Sequence, residues 1–289
     1  MWKWRNLTIL GRIQIVKTFV IPIFMYRASL ICVQKDIVIE VNKLLFKFIW
    51  KEKDKVKRLS LICDLDKGGL KAPHLESIIK SQRIMCCKKF AENQQSNWKI
   101  ILSHYMKNVG SKLILRCAFD LKKLCIQLPK YYEECFRCFA EYSVHSVANK
   151  LTEQALCQEI HNTVIWNNKF ICVQGKSVFC EALFKKGIIT LEDLTTDGND
   201  VITGFQIMAS ASFTPKEKFQ LMAIIDAIPT QWRNHLKMCN NYQNNSSGSN
   251  SAQLYLNGHN IRLNKVSSKN IYKEVRSNCQ RLRLYQPHS

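Results

Sequence analysis

Acidic residues are in short supply: 22 Asp and Glu stand against 43 Lys and Arg in 289 residues, a formal net charge of +21. Such a surface repels itself, and a polyanionic partner is the usual reason to keep it. No two aspartates are adjacent anywhere in the chain. Nor does any apolar run near the N-terminus reach the ~20 residues a bilayer-crossing helix needs. The longest there, residues 18–26, is interrupted by Pro22 and closed by Arg27. Signal-peptide and lipidation patterns are absent too. These absences argue against a membrane or secreted protein and for an intracellular one. Cysteine is plentiful, but its 13 positions are odd in number and irregular in spacing, which points to reduced thiols rather than a disulfide framework. The one cluster with metal-ligand spacing is Cys135-x-x-Cys138 followed by His145. No fourth ligand lies nearby, and Tyr131, Cys135, Cys138 and Tyr142 share a helical face, so core packing accounts for them without zinc.

Hydrophobic residues make up 46% of the chain and aromatics 10%, which argues for folded material in one or two domains. The positive charge is uneven. Residues 1–100 hold 20 basic and 8 acidic side chains, residues 101–240 hold 16 and 13, and residues 241–289 hold 7 and 1. The two ends are therefore the expected polyanion contacts. An anionic membrane surface would satisfy the same excess, but aromatic and polar residues interleave with the charges, which favours nucleic acid.

The stretch from Trp4 to Trp50 organises the rest. Its spacing predicts two amphipathic helices, the first interrupted at Pro22, the second capped by Asp36. In the second, Ile37, Val41, Leu44, Leu45 and Phe48 recur at helical spacing and predict a buried face. Lys43, Lys47 and Lys51 fall four apart and predict a cationic stripe, suited to a phosphate backbone or simply a solvated face. Residues 51–58, KEKDKVKR, follow as a basic loop.

Further along, Gly68-Gly69 predicts a turn and Pro73 the start of a helix through Asn93. Trp98 to Tyr105, 111–128 and 130–145 read as further helices. Around Asn167-Asn168, the runs 163–165 and 170–173 predict a small hairpin. Gly175-Lys176-Ser177 resembles the end of a phosphate-binding loop, but Phe170 stands where the earlier glycine is required. Thr214-Pro215-x-Glu217 predicts a capping box. Residues 240–252 are a polar linker, and Asn257-Gly258 predicts a hairpin turn. The fold expected is mainly α with small β-hairpins: a basic helical domain at 1–108, a mostly helical domain at 109–239, the linker, and a hairpin with a basic tail at 253–289.

The order Trp4-Arg5-x-Leu7-Thr8-x-x-Gly11-Arg12, then Lys17, Pro22 and Tyr26, resembles one region of LINE-type (non-LTR) retrotransposon reverse transcriptases. Asn42, Phe48, Trp50, Gly68-Gly69-Leu70-x-x-Pro73, Trp166, Gly175-Lys176-Ser177 and Ile228-Pro229-x-x-Trp232-Arg233 extend the resemblance to about residue 275. It implies that residues 1–108 are the thumb that follows the polymerase palm. A palm would then precede Met1, and a longer protein would continue where this chain departs from the pattern after Glu274.

Such polymerases work by two-metal phosphoryl transfer, with Mg²⁺ held by an aromatic-x-Asp-Asp turn. That turn is absent, so the resemblance implies a fragment without catalysis or a cofactor of its own. Its expected partner is the backbone of template–primer nucleic acid, gripped by Arg5, Arg12, Lys17, Lys43, Lys47 and Lys51. Arg5, Arg12 and Lys17 fall on positions of the family pattern, and docking to the palm is the alternative role for Arg5 and Arg12. Rival readings are a protein-interaction module exposing Phe19, Ile23 and Phe24, or a translated relic without function.

Overall fold

Pro22 decides the course of the first helix. A computed structural model describes residues 6–51, 56–144, 160–195, 201–238, 253–256, 259–262, 267, 269, 271–273 and 275–276. In it α1 (Ile9–Ile15) passes through a π-helical turn (Val16–Val20) into α2 (Ile21–Ala28) without a break. Proline lacks an N–H, and its ring crowds the carbonyl four residues back, here that of Thr18. The helix widens by one residue to make room: Ile21 donates its N–H to Val16, five residues back. The helix expected to kink or break at Pro22 thus runs on, locally distorted, as one 20-residue helix, Ile9–Ala28, long and apolar enough by length and composition to cross a membrane. That corrects the expectation that no segment there reaches such a length.

The fold is mainly α, with two small antiparallel hairpins among the described residues. Two compact units make it up. The first comprises Met1–Cys86, Lys130–Cys135 and Ser267–Ser289; the second comprises Cys87–Pro129 and Phe136–Val266. These units do not follow chain order, unlike the divisions drawn at 108 and 240–252. Segment 267–276 belongs to the first unit because Arg276 pairs with Asp64 at 2.5 Å and the His74 N–H faces the Tyr272 hydroxyl at 3.4 Å.

In the first unit, α3 (Lys35–Trp50) buries Leu45, Phe46, Ile49 and Trp50 against Ile13 and Val16. The face is rotated from the one read in the sequence: Val41 and Phe48 are only partly buried, whereas Ile37 and Leu44 are 45% and 60% exposed. Spacing alone cannot choose between overlapping apolar stripes; the partner helix does. Gln34, not Asp36, is the N-cap, and Asp36 sits in the first turn, where a carboxylate still favours the helix dipole. α4 (Arg58–Ile62) leads into a tight loop closed by Leu70 and Ala72 N–H groups on the Leu61 carbonyl and by Lys71 N–H on that of Cys63.

Gly68 turns left-handed at φ +71° in open space, while a Cβ on Gly69 would lie 2.1 Å from the Cys63 oxygen. Beyond the loop, α5 (Leu75–Ala91) is buried on most of its faces, with Leu75, Ile79, Ile84, Cys87 and Phe90 all in the core. Arg83, wholly buried, donates to the carbonyls of Ala28 (2.6 Å) and Ile31 (2.9 Å). It also lies 3.3 Å from Glu134 and over the Tyr131 ring.

In the second unit, α6 (Asn97–Tyr105) and the first part of segment 111–128 depart from simple amphipathicity. Leu113, Ile114, Leu115, Cys117, Ala118 and Phe119 are buried in near-continuous sequence, a pattern no single helix face supports. The expected helix is replaced by 3₁₀ turns at Ser111–Arg116 and Leu121–Lys123, the latter capped by Asp120. α7 (Lys130–Val144) follows as expected, with Cys135, Cys138 and Tyr142 buried.

The hairpin expected around Asn167-Asn168 forms elsewhere: β1 (Cys172–Val173) pairs with β2 (Lys176–Ser177) across Gln174-Gly175. Both turn residues have positive φ, +52° and +76°. Asn167 and Asn168 are instead buried, their side-chain amides donating to Val109 and Val164. Val164 bridges Thr190, and Trp166, fully buried, donates to the Ile188 carbonyl at 2.7 Å. After α8 (Glu181–Lys185), α9 (Gly204–Ala209) begins with a capping box from Thr203 and Gln206. The box predicted at Thr214 and Glu217 opens α10 (Pro215–Ala227). α11 (Thr230–Met238) then buries Leu236. β3 (Gln253–Leu256) and β4 (His259–Arg262) pair on either side of Asn257-Gly258.

Alanine at Gly69 should destabilise the chain by about 3 kcal/mol or more, because a backbone carbonyl must move. Alanine at Gly68 should cost only about 1–2 kcal/mol, the left-handed penalty alone. Urea unfolding of both variants tests this; equal losses would contradict the close approach at Gly69. Glu217 offers a pH test. It accepts from Lys186 Nζ at 2.6 Å and from the Thr214 N–H at 2.7 Å, contacts that hold its carboxyl down at about 2 from an ordinary 4.5. Its stabilisation is complete above pH 4.5 and is lost as pH falls through 2. Glu217→Gln should therefore melt lower than the parent at neutral pH, and the gap should close on acidification over that interval.

Candidate nucleic-acid interface

Lys43, Lys47 and Lys51 stand exposed along α3 and its C-terminal end, off the face that carries Leu45, Phe46, Ile49 and Trp50. None forms an ion pair with a described carboxylate. Lys51 ends the helix at φ +69°, an uncommon conformation for a side-chain-bearing residue. Leu44 and Ile37 share this outer surface, so it mixes cations with apolar groups. Arg58, at the start of α4, lies 4.9 Å over the Phe46 ring.

The other sequence candidates fall differently. Arg5 lies outside the described residues. Arg12 is buried, and its guanidinium donates to the carbonyls of Ile49 (3.0 Å) and Leu7 (2.8 Å). Ile49 is in the last turn of α3, where carbonyls lack intrahelical partners and the helix end is partially negative. Arg12 thus caps α3 from α1, an internal role distinct from a phosphate grip. Lys17 lies half-buried in the π turn. Burial lowers its pKa from the ordinary lysine value, and the charges of Lys71 and Arg276 lower it further.

Sequence reasoning missed Lys71, Lys273 and Arg276. Lys71 follows the Gly68-Gly69 turn with φ +53° and lies 3.9 Å from Asp64. Arg276 donates to Asp64 at 2.5 Å and to the Ile62 carbonyl at 3.3 Å. The Asp64 carboxyl is held below its ordinary range, first by the hydrogen bond from Arg276 and then by the charges of Arg276, Lys71 and Lys273. These residues are distant in sequence, and only their basic character signalled them.

No protein-family model matches this chain, and no curated protein does. The chemistry must be argued from the side chains. Among the described residues no three His, Cys, Asp or Glu groups gather as a metal site. Cys135 and Cys138 are buried in α7, and His145 lies outside the described residues.

A second surface bears on partners. Phe19, Ile23, Tyr26 and Leu30 follow one another at helical spacing along and just past α2, and Ile23, Tyr26 and Leu30 are 66%, 73% and 68% exposed. Phe24, expected beside them, is partly buried.

The geometry of Arg12 separates folding from binding. Arg12→Gln should lower stability by about 2–3 kcal/mol through removal of the charged hydrogen bonds, while the folded fraction keeps its nucleic-acid affinity. Denaturant unfolding and a binding titration together test this. Unchanged stability with weakened binding would return Arg12 to the interface.

Proposed function

We propose that this chain is a non-catalytic module that binds the phosphate backbone of nucleic acid without reading sequence, the thumb-like part of a LINE-type reverse transcriptase. The observation that carries the reading is the exposed row Lys43, Lys47 and Lys51 on a helix whose opposite side is anchored in a core. A row of ammonium groups on a rigid helix matches a polyanion through counterion release and carries no base-specific geometry. The net charge of +21 and the absence of an Asp-Asp pair support binding over polymerisation. The order of Trp4, Arg5, Gly11, Arg12, Pro22 and the later motifs supports the family reading.

The exposed stripe Phe19, Ile23, Tyr26 and Leu30 favours a second reading, a protein-docking module, which in the family would meet the palm. The two separate by experiment. Lys43→Gln, Lys47→Gln and Lys51→Gln together should flatten the salt dependence of binding to an RNA–DNA duplex by roughly 0.9 for each phosphate that is no longer neutralised. An unchanged slope removes the α3 row from the interface. Salt-independent oligomers in light scattering, without nucleic-acid affinity, would favour the docking module instead.

A further inference from the structure

The second unit carries an aromatic pair at its surface, on a turn that is tied down on both sides. Trp166, Asn167, Asn168 and Ile171 are buried, yet Phe170 among them is 50% exposed. A loose loop does not account for this. The Lys169 N–H donates to the Ala118 carbonyl at 2.8 Å, and the Phe170 N–H donates to the Asn168 side-chain oxygen at 3.0 Å. Trp232, partly buried near the start of α11, meets Phe170 edge to face with ring centroids 5.6 Å apart.

Cations stand beside the pair. Lys169 Nζ lies 4.7 Å from the centre of the Phe170 ring, so a flexible side chain covers that part of the ring and can move aside. Cys172 joins a second lysine to the turn: its thiol donates to the Lys169 carbonyl at 3.3 Å and lies 3.8 Å from Lys123 Nζ. Lys122 is exposed next to Lys123, and Lys176 is exposed on β2. The charge of Asp120 reaches Lys169, but its carboxylate also accepts from the Lys122 N–H at 3.0 Å. Flat rings beside ammonium groups match a nucleotide, whose base stacks and whose phosphate is anionic. Duplex bases already stack on one another, so an unpaired base is the one free to use the rings.

We propose that Phe170 and Trp232, with Lys169 and Lys123, form a stacking platform for one unpaired base of single-stranded nucleic acid. The base lies on Phe170, the Lys169 ammonium moves from the ring to the adjoining phosphate, and Lys123 adds a second positive charge. The partner class rests on the nucleic-acid reading above, but this site lies in the other unit and takes a base, where the α3 row takes the backbone.

The test uses the full chain and three labelled probes: an oligothymidylate, an abasic strand of the same length and a blunt duplex. Phe170→Leu keeps the bulk and loses the flat ring. It should bind oligothymidylate about five- to a hundredfold more weakly, the range for one stacked base, with abasic-strand and duplex affinities within about twofold of the parent. Phe170→Tyr should bind as the parent does. Half of the Phe170 surface already meets water, so both variants should fold, and thermal unfolding is recorded alongside. Lys123→Gln should lower the salt slope for oligothymidylate by roughly 0.7, the value for one phosphate on a single strand. Equal oligothymidylate affinity in the parent and Phe170→Leu overturns the platform, as does a parent that binds the abasic strand as tightly as the intact one. Duplex binding through the α3 row survives either result. A Phe170-dependent preference for oligothymidylate in a chain that binds no duplex keeps the platform and removes the α3 row. A parent that binds none of the three probes ends both readings.

Discussion

Helices end in carbonyl groups that their own backbone cannot satisfy, and this chain meets that requirement repeatedly with arginine and lysine. Arg83 takes the Ala28 carbonyl at the end of α2, aided by Gln82 on Met25, and Arg12 takes Ile49 at the end of α3. Arg276 takes Ile62 at the end of α4. Lys99 and Lys112 both reach Glu92 just past α5, while Lys218 reaches Met208 in α9 and Arg233 reaches Asp226 in α10. Each arginine or lysine contact places a positive charge at the negative pole of a helix, worth roughly 0.3–1 kcal/mol exposed and up to ~2 when partly buried. Burial adds to the stakes, because a desolvated carbonyl without a donor costs about 1–3 kcal/mol.

This constraint changes how the charge surplus is understood. Part of the basic excess is architectural: those side chains close helix ends and are not all available to a partner. Arg83 is the extreme case, joining two carbonyls, Glu134 and the Tyr131 face in one buried position on α5. What is left for an outside anion is fewer than the full count, and the row on α3 is the one that sequence spacing and exposure both mark. A module whose cations were all structural would have no use for Lys43, Lys47 and Lys51 in the open, and this distinction underlies the proposed binding role.

Local signals in the sequence carried far. The Thr214–Glu217 capping box, the turn at Gly68-Gly69, the helix from Lys130 and the pairing around Asn257-Gly258 all depend on residues a few positions apart. Failures arose where distant groups decide. The true buried face of α3 is chosen by Ile13 and Val16 of another helix, and residues 111–128 are covered from too many sides for an amphipathic period to show. Val164 passes over its near neighbour to pair with Thr190, leaving Gln174-Gly175 to turn the hairpin. At the candidate site the same division holds. Exposure of the α3 lysines follows from spacing, but the internal use of Arg12 and the pairing of Lys71 and Arg276 with Asp64 require the tertiary structure.

The stripe Phe19, Ile23, Tyr26 and Leu30 has a consequence for the molecule as a colloid. Attraction between such stripes is short-ranged, whereas the repulsion from a net charge of +21 reaches across a Debye length of roughly 10 Å at 0.1 M salt. Dilute electrolyte therefore keeps copies of the chain apart and at the same time sharpens their attraction to polyanions. Concentrated electrolyte reverses both tendencies at once: it weakens the attraction between the positive chain and any polyanion and lets apolar surfaces meet. Ionic strength thus acts as a selector between two kinds of company, and a polyanion that neutralises the lysines would itself remove the barrier to crowding along its length.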